Sequence, residues 1–183
     1  MQTDNALLQQ RFFLLPLSTG KQGGEPVYCL FTQNQIVEVL GQKTVYPVPF
    51  SPNYVQGFIQ REGSIIPVID ADVLCGGEKS KTGTQPRQLL VMRTGQADAA
   101  DGEFLKLALA CTGTVLSFKL TERDSAQPLA PEKIPAVLAA SGLVQGFFRL
   151  RGYLVALLDF DTIALGTYGT QDAMGGKDAP FVW

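Results

Sequence analysis

The chain has 183 residues, of which 45% are apolar and 17% are charged, and its net charge is −2. This composition predicts a soluble globular protein, because disordered chains are richer in charge and poorer in apolar residues. Nucleic acid is an unfavourable partner, since phosphate neutralisation requires clustered Lys and Arg and the sequence has no such cluster. The chain contains no histidine, which excludes Ser-His and Cys-His nucleophiles and histidine metal sites.

The sequence also bears on location and redox state. No apolar run approaches the roughly 20 residues of a transmembrane helix, and the polar N-terminal stretch lacks the pattern of a signal peptide. We therefore expect a cytoplasmic protein without direct membrane insertion. Cys29, Cys75 and Cys111 are odd in number, widely spaced and flanked by apolar residues, which favours buried free thiols over disulfides or a metal site. No cofactor is predicted.

The predicted elements are mostly short strands. Residues 1–10 form either a short helix or a frayed tail. Strands are predicted at 11–17, 27–31, 35–40, 55–61, 64–69, 88–93, 104–111 and 114–120, and as a hairpin within 143–158. Turns or loops are predicted at 18–24, 75–84 and 95–102, and an extended connector with three prolines at 44–52. Strands 104–111 and 114–120 are expected to form a hairpin that turns at Thr112 and Gly113, and residues 135–140 a short helix with proline in its first turn.

One hairpin sequence occurs twice, with a constant offset of 89 residues (144 − 55) and no gap. In each copy a glycine-containing pair, Glu62-Gly63 or Arg151-Gly152, lies where a tight turn must form. Each copy then ends in an Asp-x-Asp motif. The repeated residues are Val55, Gln56, Gly57, Phe58, Gly63, Asp70 and Asp72, which recur as Val144, Gln145, Gly146, Phe147, Gly152, Asp159 and Asp161.

Short strands at even spacing predict an all-β fold, and the repeat predicts two small five-stranded, barrel-like subdomains side by side with a few short helices. A groove between the subdomains would be the natural recognition site. We expect residues 11–165 to form this unit, with tails at 1–10 and 166–183. The terminal residues Phe181, Val182 and Trp183 could pack onto the barrel or onto a partner.

The Asp-x-Asp motifs allow two interpretations. Asp70 with Asp72, or Asp159 with Asp161, could supply carboxylates for acid-base catalysis or for Mg²⁺, which would make the protein a carboxylate-dependent enzyme. Alternatively, the first aspartate of each motif caps a short helix. The recurrence of the motif after each hairpin favours caps.

Several of these residues together resemble CheW-like domains. The resemblance runs from about Phe12 to Leu165 and rests on the segment 36–39, a proline-bearing connector and the two hairpins. Its most specific part is the pattern G-x-I-x-x-x-G-x-I-x-P-V-x-D, which begins at Gly57 and ends at Asp70. The C-terminal copy supplies Gly146 and the run Leu157-Leu158-Asp159.

The resemblance implies two β-barrel subdomains with a hydrophobic core between them, no catalytic activity and an adaptor function. CheW-like proteins link the cytoplasmic tips of chemoreceptors to the histidine kinase CheA. Carried over by position, Ile36 and Glu38 belong to the receptor-facing surface, and Gly57 with the hairpin residues Arg61, Glu62 and Gly63 forms the neighbouring ridge.

The sequence departs from the family pattern at one place on this surface. Arginine usually precedes the hairpin glycine, but here Glu62 stands there and Arg61 lies one step earlier. If Glu62 faced Glu38, the pair would be repulsive unless Arg61 turned toward it. Two functions follow as hypotheses: an adaptor that couples a chemoreceptor tip to a CheA-type kinase, and a divergent module that acts as a homo-oligomer or competitor without receptor coupling.

Overall fold

The computed structural model describes residues 10–22, 25–77, 86, 88–97, 99, 102–111, 113–121 and 123–164. Eleven strands and three short α-helices account for most of these described residues. The strands are β1 (Arg11–Gln22), β2 (Glu25–Thr32), β3 (Ile36–Leu40), β4 (Val55–Arg61), β5 (Ser64–Asp70), β6 (Gln88–Ala97), β7 (Phe104–Cys111), β8 (Leu116–Lys119), β9 (Gln127–Pro128), β10 (Val144–Leu150) and β11 (Tyr153–Leu158). The helices are α1 (Ala71–Leu74), α2 (Ala136–Ala140) and α3 (Asp161–Ala164), and a 3₁₀ turn covers Pro131–Lys133.

The strands form two sheets, and each sheet defines a lobe. Lobe 1 has the strand order β8-β1-β2-β11-β10-β9, so it is built from the beginning and the end of the described chain. Lobe 2 has the order β3-β6-β7-β5-β4 and comes from the middle. The all-β prediction with two subdomains is therefore confirmed.

The duplicated hairpins occupy equivalent positions in the two lobes. In lobe 2, β5 pairs antiparallel with β4 and parallel with β7; in lobe 1, β11 pairs antiparallel with β10 and parallel with β2. Each hairpin also carries an irregularity at the same place, between Val55 and Gly57 in one copy and between Val144 and Gly146 in the other. The sequence repeat is thus a structural repeat.

Three apolar clusters stabilise this arrangement. The largest lies between the sheets and combines lobe 1 residues such as Leu17 and Phe31 with lobe 2 residues such as Leu109. A second cluster, which includes Val68 and Val91, fills the concave side of lobe 2, and a third fills that of lobe 1. Alternation along the strands explains the pattern, because successive side chains point to opposite faces of a sheet. One face of each lobe therefore builds the shared core and the other fills the lobe itself.

Several predicted details were wrong. Strand β1 continues to Gln22 through the predicted turn at 18–24, because β2 pairs with it as far as Glu25. Strand β6 likewise runs to Ala97, into the predicted loop at 95–102. Strands β7 and β8 do not form a hairpin: β7 pairs with β5 and β6, whereas β8 crosses to lobe 1 and pairs with β1.

The barrel prediction also needs correction. Lobe 1 has six strands, not five, because the two-residue strand β9 joins β10 at its edge. Within the described residues neither sheet closes into a barrel, since the outermost strands of each order are not hydrogen-bonded to each other. The predictions for the N-terminal tail, for most of the loop at 75–84 and for the C-terminal tail fall on residues 1–9, 78–84 and 166–183, which lie outside the described residues.

Candidate functional site

A seam between the two outer strands of lobe 2 brings together three of the residues predicted for docking, Glu38, Arg61 and Glu62. Arg61, the last residue of β4, donates from Nε to Glu38 Oε1 at 3.0 Å and from Nη2 to Glu38 Oε2 at 3.2 Å. Glu38 lies in the middle of β3, at the opposite end of the strand order. Because β3 and β4 are not hydrogen-bonded neighbours, this bidentate ion pair shows that the sheet curls until its edges are within reach of one side chain.

Of the two arrangements that the sequence left open for Glu38 and Glu62, the structure shows the one in which Arg61 turns toward the pair. Arg61 lies between the two carboxylates, with Nη2 also 3.3 Å from Glu62 Oε1. Glu62 is the first residue of the two-residue turn, has φ of 50° and leaves 77% of its side chain exposed. The turn therefore directs Glu62 away from the strand face that Glu38 occupies. The hydrogen bonds from Arg61 to Glu38 raise the pKa of Arg61 above its ordinary value.

Strand β3 presents apolar side chains beside this ion pair. Val37 and Val39 point outward and are 48% and 47% exposed. Ile36 packs against the core between the lobes and Leu40 against the core of lobe 2, because a register shift between Ile36 and Glu38 places the two side chains on opposite faces. The structure thus places Ile36 mainly in a packing role, and the two valines form the apolar part of the exposed face.

The two glycines predicted for this surface have backbone roles. A Cβ on Gly57 would overlap the carbonyl oxygen of Tyr46, and its φ is +145°. Gly63 has φ of +82° in the hairpin turn, with open space around it. Each position therefore favours glycine without reference to any partner.

The connector between β3 and β4 contributes aromatic side chains that the sequence did not assign to a surface. Tyr46 forms an isolated bridge with Phe58 on β4, and their rings stack with centroids 5.5 Å apart. Phe50 is fully exposed and has φ of 62°. The signal was the three prolines at 47, 49 and 52, which keep this stretch extended and hold an aromatic residue away from the core.

Lobe 1 has a corresponding seam, in which an arginine occupies the turn position that a glutamate occupies in lobe 2. Arg151, the counterpart of Glu62 in the second hairpin, donates to Asp124 at 2.5 and 2.6 Å and to the carbonyl of Lys119 at 2.8 Å. Its guanidinium also lies 4.9 Å from the ring centroid of Phe118. The hydrogen bonds from Arg151 hold the pKa of Asp124 well below its usual range.

The Asp-x-Asp motifs are helix caps. Asp70 Oδ1 accepts from the amides of Asp72 and Val73, and Gln56 donates to Asp70 Oδ2 at 2.9 Å. Asp159 Oδ1 accepts in the same way from the amides of Asp161 and Thr162 at the start of α3. The repeat thus extends to the hydrogen bonds of the cap.

The electrostatics of these aspartates agree with capping. Burial opposes ionisation of Asp159, but hydrogen bonds from Thr162, Gln145 and the Asp161 amide outweigh it and lower its pKa. Asp161 Oδ1 accepts from the amide of Gly95 in lobe 2 at 2.8 Å. The lowered pKa keeps Asp159 ionised and engaged in hydrogen bonds, which is the opposite of what a general acid requires.

The three cysteines lie in the core between the lobes, as predicted. Burial raises the pKa of the Cys75 and Cys111 thiols to about 12, and that of Cys29 well above its usual value. In the part of the chain that the structure describes, no three His, Cys, Asp or Glu side chains are grouped to hold a metal ion.

A cleft of about 420 Å³ lies between the lobes, where a recognition groove was predicted. Lobe 2 contributes Met92 and Arg93, and lobe 1 contributes Gln145 and Asp159. Arg93 is held by a hydrogen bond from Nε to the carbonyl of Asn34. The walls combine such polar groups with apolar side chains, since Phe104, Leu158 and Phe160 also line the cleft. No helix among the described residues combines the length and apolarity needed to cross a bilayer.

Comparison with known proteins identifies this fold. The scaffolding protein CheW of Thermoanaerobacter tengcongensis is 18% identical, with a TM-score of 0.50 over 81% of this chain and 85% of that chain. No curated protein matched the sequence. The family model described as "CheW-like domain" matches residues 23–165, which include every strand from β2 to β11. The chain therefore belongs to the CheW-like domain family.

Proposed function

We propose that this protein is a non-enzymatic cytoplasmic adaptor that couples a chemoreceptor tip to a CheA-type histidine kinase in chemotaxis or a related motility pathway. Family membership supports a chemotaxis scaffold role. The observation that carries the finer proposal is the seam face of lobe 2, which we define as Val37, Glu38, Val39 and Arg61.

The seam face has the properties of a docking surface for a helical receptor tip. Val37 and Val39 are its apolar part, and each is about half exposed. Glu38 lies on the opposite face of β3 from Val39, and its pairing with Arg61 leaves little unpaired charge for a partner to meet there. Interface cores of this kind are depleted of unpaired charge and rely on shape and apolar contact.

Binding of both partners tests the proposal. The full chain is mixed at low salt with a CheA-type kinase and with a receptor cytoplasmic fragment, each presented separately. We expect both to bind, and we expect Val39→Glu to weaken receptor binding about tenfold or more, because a buried charge without a partner is costly. Ser117→Glu is the matched control, since it adds the same charge to an exposed position on β8, the counterpart of β3 in lobe 1.

The result of this experiment separates the two hypotheses. Failure of both partners to bind the wild-type chain would contradict the adaptor proposal. If only the kinase binds, the competitor hypothesis holds, and the chain should lower receptor-dependent phosphorylation instead of raising it. Mass measurement in solution would show whether the chain forms a homo-oligomer under the same conditions.

A further inference from the structure

The cleft between the lobes brings opposite charges to one cavity. Its volume of about 420 Å³ is within the range of roughly 300–1,000 Å³ that small-molecule sites occupy, and such sites form preferentially between domains. Arg93 on β6 and Asp161 at the start of α3 both line it. In the part of the chain that the structure describes, neither side chain takes part in an ion pair. The cleft therefore presents a positive and a negative group that no described side chain neutralises.

Strand β6 places the two charges side by side. Arg93 and Gly95 are exposed and Thr94 between them is buried, so Arg93 and Gly95 share one face of the strand with Cα atoms about 7 Å apart. The amide of Gly95 donates to Asp161 Oδ1 at 2.8 Å, and a Cβ at Gly95 would overlap Asp161 Oδ2. The carboxylate is thus anchored directly on the face that carries Arg93. Because the Gly95 amide occupies Oδ1, Oδ2 is the oxygen that can accept from a ligand.

The contacts of Arg93 orient it for a carboxylate. Its Nε donates to the carbonyl of Asn34, and its guanidinium lies 5.5 Å from the ring centroid of Phe104. These two contacts fix the plane of the guanidinium and leave its two terminal nitrogens as donors. A pair of parallel N–H donors is the geometry that binds a carboxylate through two hydrogen bonds.

We propose that the cleft between the lobes binds a free α-amino acid with an apolar side chain. The ligand carboxylate pairs with Arg93, the ligand ammonium donates to Asp161 Oδ2, and the ligand side chain packs on the wall that includes Phe104 and Phe160. An α-amino acid carries both charges on one carbon, so it satisfies both groups, whereas a simple carboxylate or amine satisfies only one. Binding of a small molecule goes beyond the proposed adaptor function and does not depend on it.

An NMR titration of the full chain with leucine, methionine and phenylalanine, each added separately, tests the proposal. We expect at least one of them to give saturable shifts of the amides of Arg93, Gly95 and Asp161. Two analogues of leucine identify the groups that are recognised. Isopentylamine lacks the carboxylate and N-acetylleucine lacks the ammonium, so each should bind about tenfold or more weakly than leucine, because each loses a charged hydrogen-bonded contact.

Two substitutions separate the two ends of the ligand. Arg93→Met should weaken amino-acid binding about tenfold or more and leave the weak binding of isopentylamine unchanged. Asp161→Asn keeps an oxygen for the Gly95 amide but removes the charge, so it should weaken amino-acid binding similarly and leave N-acetylleucine unchanged. Arg11→Met and Glu132→Gln remove the same kinds of charge at exposed positions that do not line the cleft, and they should leave binding unchanged. Circular dichroism confirms that each variant is folded.

Three outcomes would overturn the proposal. The first is the absence of saturable shifts with all three amino acids. The second is binding that neither Arg93→Met nor Asp161→Asn weakens, since the ligand would then lie elsewhere. The third is binding that only one of these two substitutions weakens, since the ligand would then not be held by both of its charges. Partner binding by the seam face is measured separately, so its failure leaves this test unaffected.

Discussion

At the scale of single residues, a close approach of two backbone segments restricts position 57 to glycine. The connector passes over β4 at this point, where the amide and carbonyl of Tyr46 pair with those of Phe58 at 2.9 Å. The carbonyl of Tyr46 occupies the space that a side chain at position 57 would need. The glycine therefore permits the connector to extend the sheet beyond β4.

We predict that Gly57→Ala destabilises the protein by about 2 kcal/mol or more, from overlap with the Tyr46 carbonyl and from the strained φ. Urea unfolding with comparison of midpoints and slopes measures the loss. Gly63→Ala should cost about 1 kcal/mol, since it has positive φ but open space, and Gly41→Ala should cost least because it has neither constraint. Equal effects at all three positions would contradict this account.

The ion pair between Asp124 and Arg151 gives a second prediction at this scale. The folded-state pKa of Asp124 is depressed, so its contribution to stability is complete above its unfolded pKa of about 4 and is lost as the pH falls through the folded value. Asp124→Asn should therefore lower stability at pH 7, and the difference from wild type should shrink as the pH falls below about 4. Chemical unfolding at a series of pH values measures this stability difference.

A background variant supplies the control. With Arg151→Met already present, Asp124→Asn should show a smaller dependence on pH, because the hydrogen bonds from Arg151 are the main cause of the shift. An unchanged dependence in that background would mean that Thr121, which also donates to Asp124, dominates instead.

At the scale of elements, the two hairpins share one turn geometry but use different residues at its first position. Glu62 and Gly63 have φ of 50° and 82°, and Arg151 and Gly152 have φ of 51° and 84°. Two positive φ angles define the type I′ turn, in which asparagine is preferred at the first position. Glu62 is largely exposed, whereas Arg151 joins its hairpin to Asp124 and Lys119.

The same substitution should therefore have opposite effects in the two hairpins. Glu62→Asn should stabilise the protein by about 0.5–1 kcal/mol, because asparagine tolerates positive φ better than glutamate does. Arg151→Asn should destabilise it despite the same local gain, because the contacts to Asp124 and Lys119 are lost. Thermal unfolding of both variants measures the sign of each change in stability. A stabilising effect of Arg151→Asn would show that the contacts of Arg151 contribute little to stability.

At the scale of the whole molecule, the shared core couples the lobes. The order of the chain contributes as well, because lobe 2 is inserted between the two parts of lobe 1. Asp161 of α3 adds a direct hydrogen bond to the amide of Gly95 on β6. These features indicate that the lobes unfold together.

We predict that Leu17→Ala, a lobe 1 substitution in the shared core, costs about 2–5 kcal/mol and lowers amide protection in both lobes alike. Hydrogen exchange of the Leu90 and Leu109 amides measures whether the loss of protection extends to lobe 2. Val37→Ala, at an exposed position, should change stability by less than about 0.5 kcal/mol. Lobe 2 amides that keep wild-type protection in Leu17→Ala would show independent lobes.

The amino-acid sequence by itself determined the local features of this protein. Alternation located the strands, Glu62-Gly63 and Arg151-Gly152 located the hairpin turns, and Asp70 and Asp159 located the helix starts. Each of these depends on residues within a few positions of one another, where a single conformation dominates. The repeat at a constant offset also predicted that two similar lobes exist, because one sequence pattern forms one local structure twice.

Only the tertiary structure decided which distant strands pair and which side chains meet. Alternation tells which face of β8 is buried but not whether β7 or β1 is its neighbour, and the structure pairs it with β1. Likewise, the sequence left open whether Glu62 faces Glu38 or Arg61 turns between them, and the curling of lobe 2 places Arg61 between the two carboxylates. The physical reason is that these contacts depend on the curvature and order of a whole sheet, which no short stretch of sequence specifies.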